Sequence, residues 1–183
     1  MKDAPILSVR RLVTAFDTED GRLRAADDVS FDLERGSTLG IVGESGCGKS
    51  VTALSILRLL PQPMGRILSG EVRFDGTDLV RLAPEEMSRI RGKRISMIFQ
   101  EPMTALNPVH RIGRQIGEVF HLHFPGMSEL EVASASVAML RKVGIPEPEQ
   151  RMGEYPHQIS GGMRQRVMIA MALACRQIGR AHV

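Results

Sequence analysis

The chain has 183 residues, 43% of them apolar and 25% charged; this is globular material long enough to bury a core, which excludes a disordered tail. Its 24 basic and 21 acidic residues leave a net charge of +3, but every acid lies at or before Glu154, so the excess sits in the arginines that follow. That distribution, with six Phe, one Tyr and no Trp, argues against a phosphate-tracking basic face or a base-stacking surface, and no nucleic-acid partner is expected.

Ile6–Val13 and Ala25–Leu33 read as strands, with Gly21 marking the turn region between them. Ser37–Val42 is a short, nearly continuous apolar run, the pattern of a buried parallel strand. A Gly-rich loop follows, and Lys49–Leu60 then shows helical apolar spacing up to Pro61. Gly70–Phe74 predicts a strand leading into a turn at Asp75-Gly76, and Pro84–Arg91 a short helix. Ile95–Phe99 reads as another buried strand. Beyond it the character changes. Arg111–His121 and Ser128–Val143 are helix-like, separated by Pro125-Gly126, and a further helix runs from Ser160 toward Cys175.

Cys47 and Cys175 make neither a disulfide framework nor a metal site and read as free thiols in a reducing compartment. His110, His121, His123 and His157 form no metal constellation by spacing. No secretory signal pattern opens the sequence, and the longest apolar stretch, Val167–Cys175, is about half of what a membrane span needs. The expectation is a cytosolic location, with any membrane association made through a partner.

Gly43-Glu44-Ser45-Gly46-Cys47-Gly48-Lys49-Ser50 fits G-x-x-x-x-G-K-[ST] without a mismatch. Average composition predicts roughly 0.01 chance matches in a chain of this length. Each position has a chemical reason. Glycines let the backbone bring successive N–H groups toward one anion, and the helix starting at Lys49 points its positive dipole end at the same place. The Lys49 ammonium then meets the β- and γ-phosphates, and the Ser50 hydroxyl ligates Mg²⁺, with Val51 completing the nucleotide contacts. Ile159-Ser160-Gly161-Gly162-Met163 places a hydroxyl and exposed amides at a second helix start, a second anion site. One nucleotide does not need two γ-phosphate sites in one chain. Two copies arranged head to tail do.

These two segments together resemble the ATPase subunits of ABC transporters: a Walker A loop, then an LSGGQ-like signature in which Met163 replaces the usual Gln. The resemblance implies a P-loop α/β core of the ABC ATPase type, with an N-terminal antiparallel β region and a helical insertion. It implies ATP and Mg²⁺ as cofactors, and Ser160, Gly161, Gly162 and Met163 facing the partner's ATP. Gln100, behind the strand Ile95–Phe99, matches the Q-loop glutamine that reaches Mg²⁺ or the attacking water. The string from Phe99 to Pro108, FQEPMTALNP, resembles the importers of dipeptides, oligopeptides and nickel. Phe16 matches the aromatic that stacks on adenine, with a core Phe as the plain alternative.

The resemblance implies residues 1–100 as nucleotide-binding core, 101–154 as a helical subdomain receiving a permease segment, and 155–176 as the signature motif and helix. Residues 177–183 do not resemble the family and read as a non-native tail. The Walker B Glu and switch His expected after the signature are not in the sequence, so the chain reads as truncated, with the C-terminal part of the core missing and without turnover by itself. The intact protein is expected at the cytoplasmic face of the inner membrane, with a second ATPase subunit, permease subunits and, indirectly, a solute-binding protein. An inactive nucleotide-binding fragment and a non-transport ABC ATPase are the alternatives.

Overall fold

A computed structural model describes residues 4–99 and 106–178. They divide into two compact units, residues 1–87 and 88–183.

The first unit is built on an antiparallel sheet of order β2-β1-β3-β4: β1 (Leu7–Thr18), β2 (Gly21–Leu33), β3 (Gly65–Phe74) and β4 (Thr77–Asp78). Val9 and Leu12 are both fully buried although two exposed arginines, not one, separate them. Strict alternation would turn Leu12 outward. A bulge absorbs the extra residue: Arg11 takes a left-handed φ of 48°, and the pairing shifts register between Val9 and Leu12. Gly70, at φ 102°, lies against the bulge, where a Cβ would come within 2.6 Å of Arg11 O and Leu12 Cα. The predicted turn at Asp75-Gly76 is a two-residue hairpin with both φ positive (50° and 80°), as the twist of its strands requires.

Helix α1 (Lys49–Ile56) packs on this sheet through a polar contact, the Thr14 and Ser55 hydroxyls meeting at 2.8 Å in a buried setting. It ends a turn earlier than the apolar spacing suggests. Arg58 turns the chain at φ 52° and donates to Leu79 O and Leu82 O, so the helix stops before Pro61 is reached.

Two expected strands are not formed. Ser37–Val42 belongs to no sheet, and Val42 is 92% exposed. Ile95–Phe99 makes a single bridge, Arg91 to Ile95, and leaves Ile98 and Phe99 exposed. Apolar runs of this kind are stable as parallel strands only with strands at both edges and cover on both faces. The described residues supply neither, since their one sheet is antiparallel.

Helix α2 (Pro84–Ile90) leads into the second unit. There α3 (Ile112–His123), α4 (Glu129–Lys142) and α6 (Gly161–Ile178) share one core, with the short α5 (Pro148–Arg151) and a 3-10 turn (Pro156–Gln158) between α4 and α6. The buried residues recur at helical spacing: Ile112, Ile116 and Phe120 on α3, Val132, Met139 and Leu140 on α4, Val167, Ala170 and Ala174 on α6. Ser128 and Glu131 form a capping box at the start of α4. Gly144, at φ 73°, ends the helix: Ile145 N donates to Leu140 O and Gly144 N to Arg141 O.

Candidate functional site

The loop 43–50 is shaped by its glycines. Gly46 (φ 83°) and Gly48 (φ 91°) are left-handed, and a Cβ on Gly48 would fall 2.1 Å from Ala25 O of β2. Only glycine lets the loop pass that carbonyl into α1. The start of α1 has no side-chain cap and no acidic residue in its first turn, so its amides and dipole meet no competing negative group there. The Lys49 ammonium reaches back over the loop, donating to Gly43 O (2.8 Å) and Glu44 O (2.6 Å), with Cys47 Sγ at 3.4 Å. Ser50, next in the helix, is exposed, as are Ser45 and Cys47. Val51, on the following position, is half-buried. Loop amides, an ammonium and an exposed hydroxyl form a donor set that suits a polyphosphate with a hard cation.

Phe16 lies inside β1, not after the first strand, because β1 runs on to Thr18. It is half-buried, and its ring edge covers Gly65, where a Cβ would sit 3.0 Å from Phe16 Cε1.

In the second unit Ser160, Gly161 and Gly162 are exposed at the head of α6, and Met163 is half-buried. The Ser160 hydroxyl accepts from Met163 N at 3.3 Å, and no atom lies within 4 Å of a Cβ built on either glycine. The turn is open to solvent. It is anchored from behind by Ile159, which is buried, and by Arg164, whose Nε donates to Pro156 O and Ile159 O. Arg166 reaches from α6 to Gly144 O at the end of α4.

Gln100, residues 101–105 and residues 179–183 lie outside the described residues; Gln177 and Ile178 continue α6. Among the described residues no group of three His, Cys, Asp or Glu side chains could hold a metal ion, and no helix is long and apolar enough to cross a membrane.

Sequence reasoning missed three structural residues. Gln115, buried on α3, holds the segment 107–110, and the Arg111 guanidinium lies over the ring of Tyr155, which precedes the signature turn in sequence. A polar residue on the apolar face of α3 was the available signal for Gln115.

A glycine-shaped loop opening α1, together with a Ser-Gly-Gly turn opening α6 of a helical unit, defines a nucleotide-binding cassette of the ABC type. The ABC transporter family model matches residues 26–178, and the chain belongs to that family. It is 54% identical over 170 residues to a probable peptide ABC transporter ATP-binding protein, y4tR, of Sinorhizobium fredii, an alignment covering 93% of this chain and 50% of the relative. The oligopeptide transport ATP-binding protein OppD of Bacillus subtilis is 50% identical over 169 residues, 92% of this chain and 47% of its own length. The chain thus spans about half the length of the curated relatives it matches. Among solved structures, the dimeric bacterial ABC transporter cassette MJ0796 superposes with a TM-score of 0.81 at 26% identity, over 93% of this chain and 70% of that one.

Proposed function

We propose that this chain is the nucleotide-binding portion of the ATP-hydrolysing subunit of a peptide importer. Loop 43–50 holds the phosphates of ATP: its amides and the Lys49 ammonium take the β- and γ-phosphates, and Ser50 ligates Mg²⁺, with Gln100 as a further contact to the metal or the attacking water. A magnesium ion held by Ser50 and Gln100 would supply neutralisation of the phosphate charge. Phe16, half-buried in β1, stacks on the adenine base. The same loop in a second copy is met by Ser160, Gly161, Gly162 and Met163, so closure of a head-to-tail dimer needs ATP in both sites.

The observation that carries this reading is the open turn at Gly161-Gly162: an amide-lined helix start, exposed, in a chain that already holds one complete phosphate loop. A likeness to a cassette solved as a dimer bound to ADP and Pi supports a dimer. The names of the relatives support a peptide as solute. The permease segment docks on the helical unit, where a groove of about 540 Å³ runs between α3 and α4, lined by Arg114, Gly117, Glu118 and Val132. Such a subunit works at the cytoplasmic face of the inner membrane, and a solute-binding protein delivers the peptide to its permease.

Calorimetry and sedimentation test the two halves separately. ATP·Mg binding should weaken about 10- to 100-fold in Lys49→Ala, the worth of a charge-assisted contact. Ser160→Arg should keep ATP binding and lose ATP-dependent self-association. Unchanged binding in Lys49→Ala, or self-association indifferent to Ser160→Arg, overturns the reading.

A further inference from the structure

The segment that follows residues 100–105 is bonded directly to the segment that precedes the signature turn. At the start of α3, Ile112 N donates to Glu154 O (2.8 Å) and Gly113 N to Met152 O (2.9 Å). These are amides that a helix start leaves without internal partners. Here the carbonyls of the pre-signature segment take them. The approach is close enough to require glycine, since a Cβ on Gly113 would meet Met152 Cε at 2.7 Å and Met152 O at 2.9 Å.

Side chains reinforce the junction. The Arg111 guanidinium lies 5.8 Å from the centre of the Tyr155 ring, within cation–π range, and Tyr155 stacks on His157 at 5.6 Å with their planes 12° apart. From Tyr155 the path to Ser160 has little freedom. Tyr155 N donates to Gln158 Oε1, the 3-10 turn carries the chain to buried Ile159, and Arg164 holds both Pro156 O and Ile159 O. On the other side, Gln115 Nε2 donates to Asn107 O and His110 O, so the chain reaching Arg111 is held as well.

We propose that Arg111 and Tyr155 are positioning residues for the signature: with the Ile112–Glu154 and Gly113–Met152 bonds they form a brace that sets the place of Ser160 from the place of residues 107–111. The brace rests on the role given to Ser160 above, but its existence can be tested without that role. A shift of residues 107–111 is carried through the brace into the signature turn.

Amide exchange on the full chain reads the brace. In Tyr155→Leu, exchange at Met163 and Arg164, whose N–H groups are held by Ser160, should accelerate at least about tenfold, together with Ile112 and Gly113. Amides in the middle of α4, from Val132 to Leu140, should keep their rates. Tyr155→Phe, which retains the ring, should restore the parent pattern. Gly113→Ala, which wedges α3 away from Met152, should reproduce the Tyr155→Leu pattern by an independent route. Unchanged exchange at Met163 in both variants, or a uniform rise that includes α4, overturns the proposal. ATP-dependent self-association, measured on the same samples, separates the two readings. If the parent chain does not associate with ATP, the signature role fails while the exchange pattern still decides the brace.

Discussion

The carboxamide of Gln115 pairs with the peptide group of Asn107 in both directions: Asn107 N donates to Gln115 Oε1 at 2.9 Å, and Gln115 Nε2 donates to Asn107 O at 3.0 Å. One side chain thus does for a loop what a neighbouring strand does in a sheet. A third bond, from Nε2 to His110 O, uses the remaining amide hydrogen. Gln115 is buried among the apolar residues of α3, whereas Asn107 is exposed and His110 half-buried, so cutting the side chain back removes all three bonds and water can reach only the loop side of them.

Gln115→Met, close in size, should therefore destabilise the chain by about 1–2 kcal/mol, because it removes the three bonds that hold Asn107 and His110 while water takes up part of the loss at exposed Asn107. A urea titration measures it. A loss under about 0.5 kcal/mol would mean that the segment 107–110 finds other partners.

The two left-handed glycines of the phosphate loop differ in what surrounds them. Gly46→Ala meets open space and carries only the conformational penalty, about 1–2 kcal/mol. Gly48→Ala adds a collision with Ala25 O at 2.1 Å, backbone against backbone, which no rotamer relieves. It should cost at least about 3 kcal/mol or abolish folding. Equal denaturation midpoints for the two variants would contradict the close approach of the loop to β2.

How much of this was legible in the sequence depended on the range of the interaction. Local rules carried the turn at Asp75-Gly76 and the helix starts at Lys49, Ser128 and Ser160, because each is decided within a few residues. The bulge at Arg11 was hidden, since the strand Ile6–Val13 runs through both arginines in the sequence reading and the pattern carries no mark of the extra residue between buried Val9 and Leu12. Ser37–Val42 and Ile95–Phe99 carry the composition of central strands, but a strand is made by its neighbours, and composition does not contain them. The brace between α3 and residues 152–154 was equally invisible. It joins backbone groups some forty residues apart, for which side-chain identity holds no signal apart from Gly113.

The two cysteines should separate by reactivity. Cys47 is exposed in the phosphate loop beside Lys49, whereas Cys175 is buried in α6, and burial pushes its thiol up. In the native chain at neutral pH, a maleimide should label Cys47 at least about tenfold faster than Cys175, and unfolding should remove the difference. ATP·Mg should slow labelling at Cys47 alone. Labelling of Cys175 first would place α6 elsewhere than in the helical core.

His123 supplies a pH dependence. Its ring covers the turn at Gly92, where a Cβ would lie 2.8 Å from Nε2; burial chiefly, and the Lys93 ammonium beside it, hold the imidazole below its usual value. The unfolded chain therefore takes up the proton first as pH falls. The stability contributed by the neutral ring is fully present above about pH 6.5 and is lost as pH drops through that value toward the lower folded one. The carboxylates of Asp17, Asp32, Glu71 and Glu131 are held below their usual range by bonds to Arg22, Arg10, Arg73 and Ser128 respectively, and so titrate in a more acid range. Urea midpoints from pH 8 to pH 5 should thus decline in the parent chain and decline less in His123→Gln. Lys93→Gln removes the lesser of the two causes and should leave a shallower slope with the same sign. A midpoint that rises on acidification in the parent, and not in His123→Gln, would mean that the folded chain prefers the charged ring.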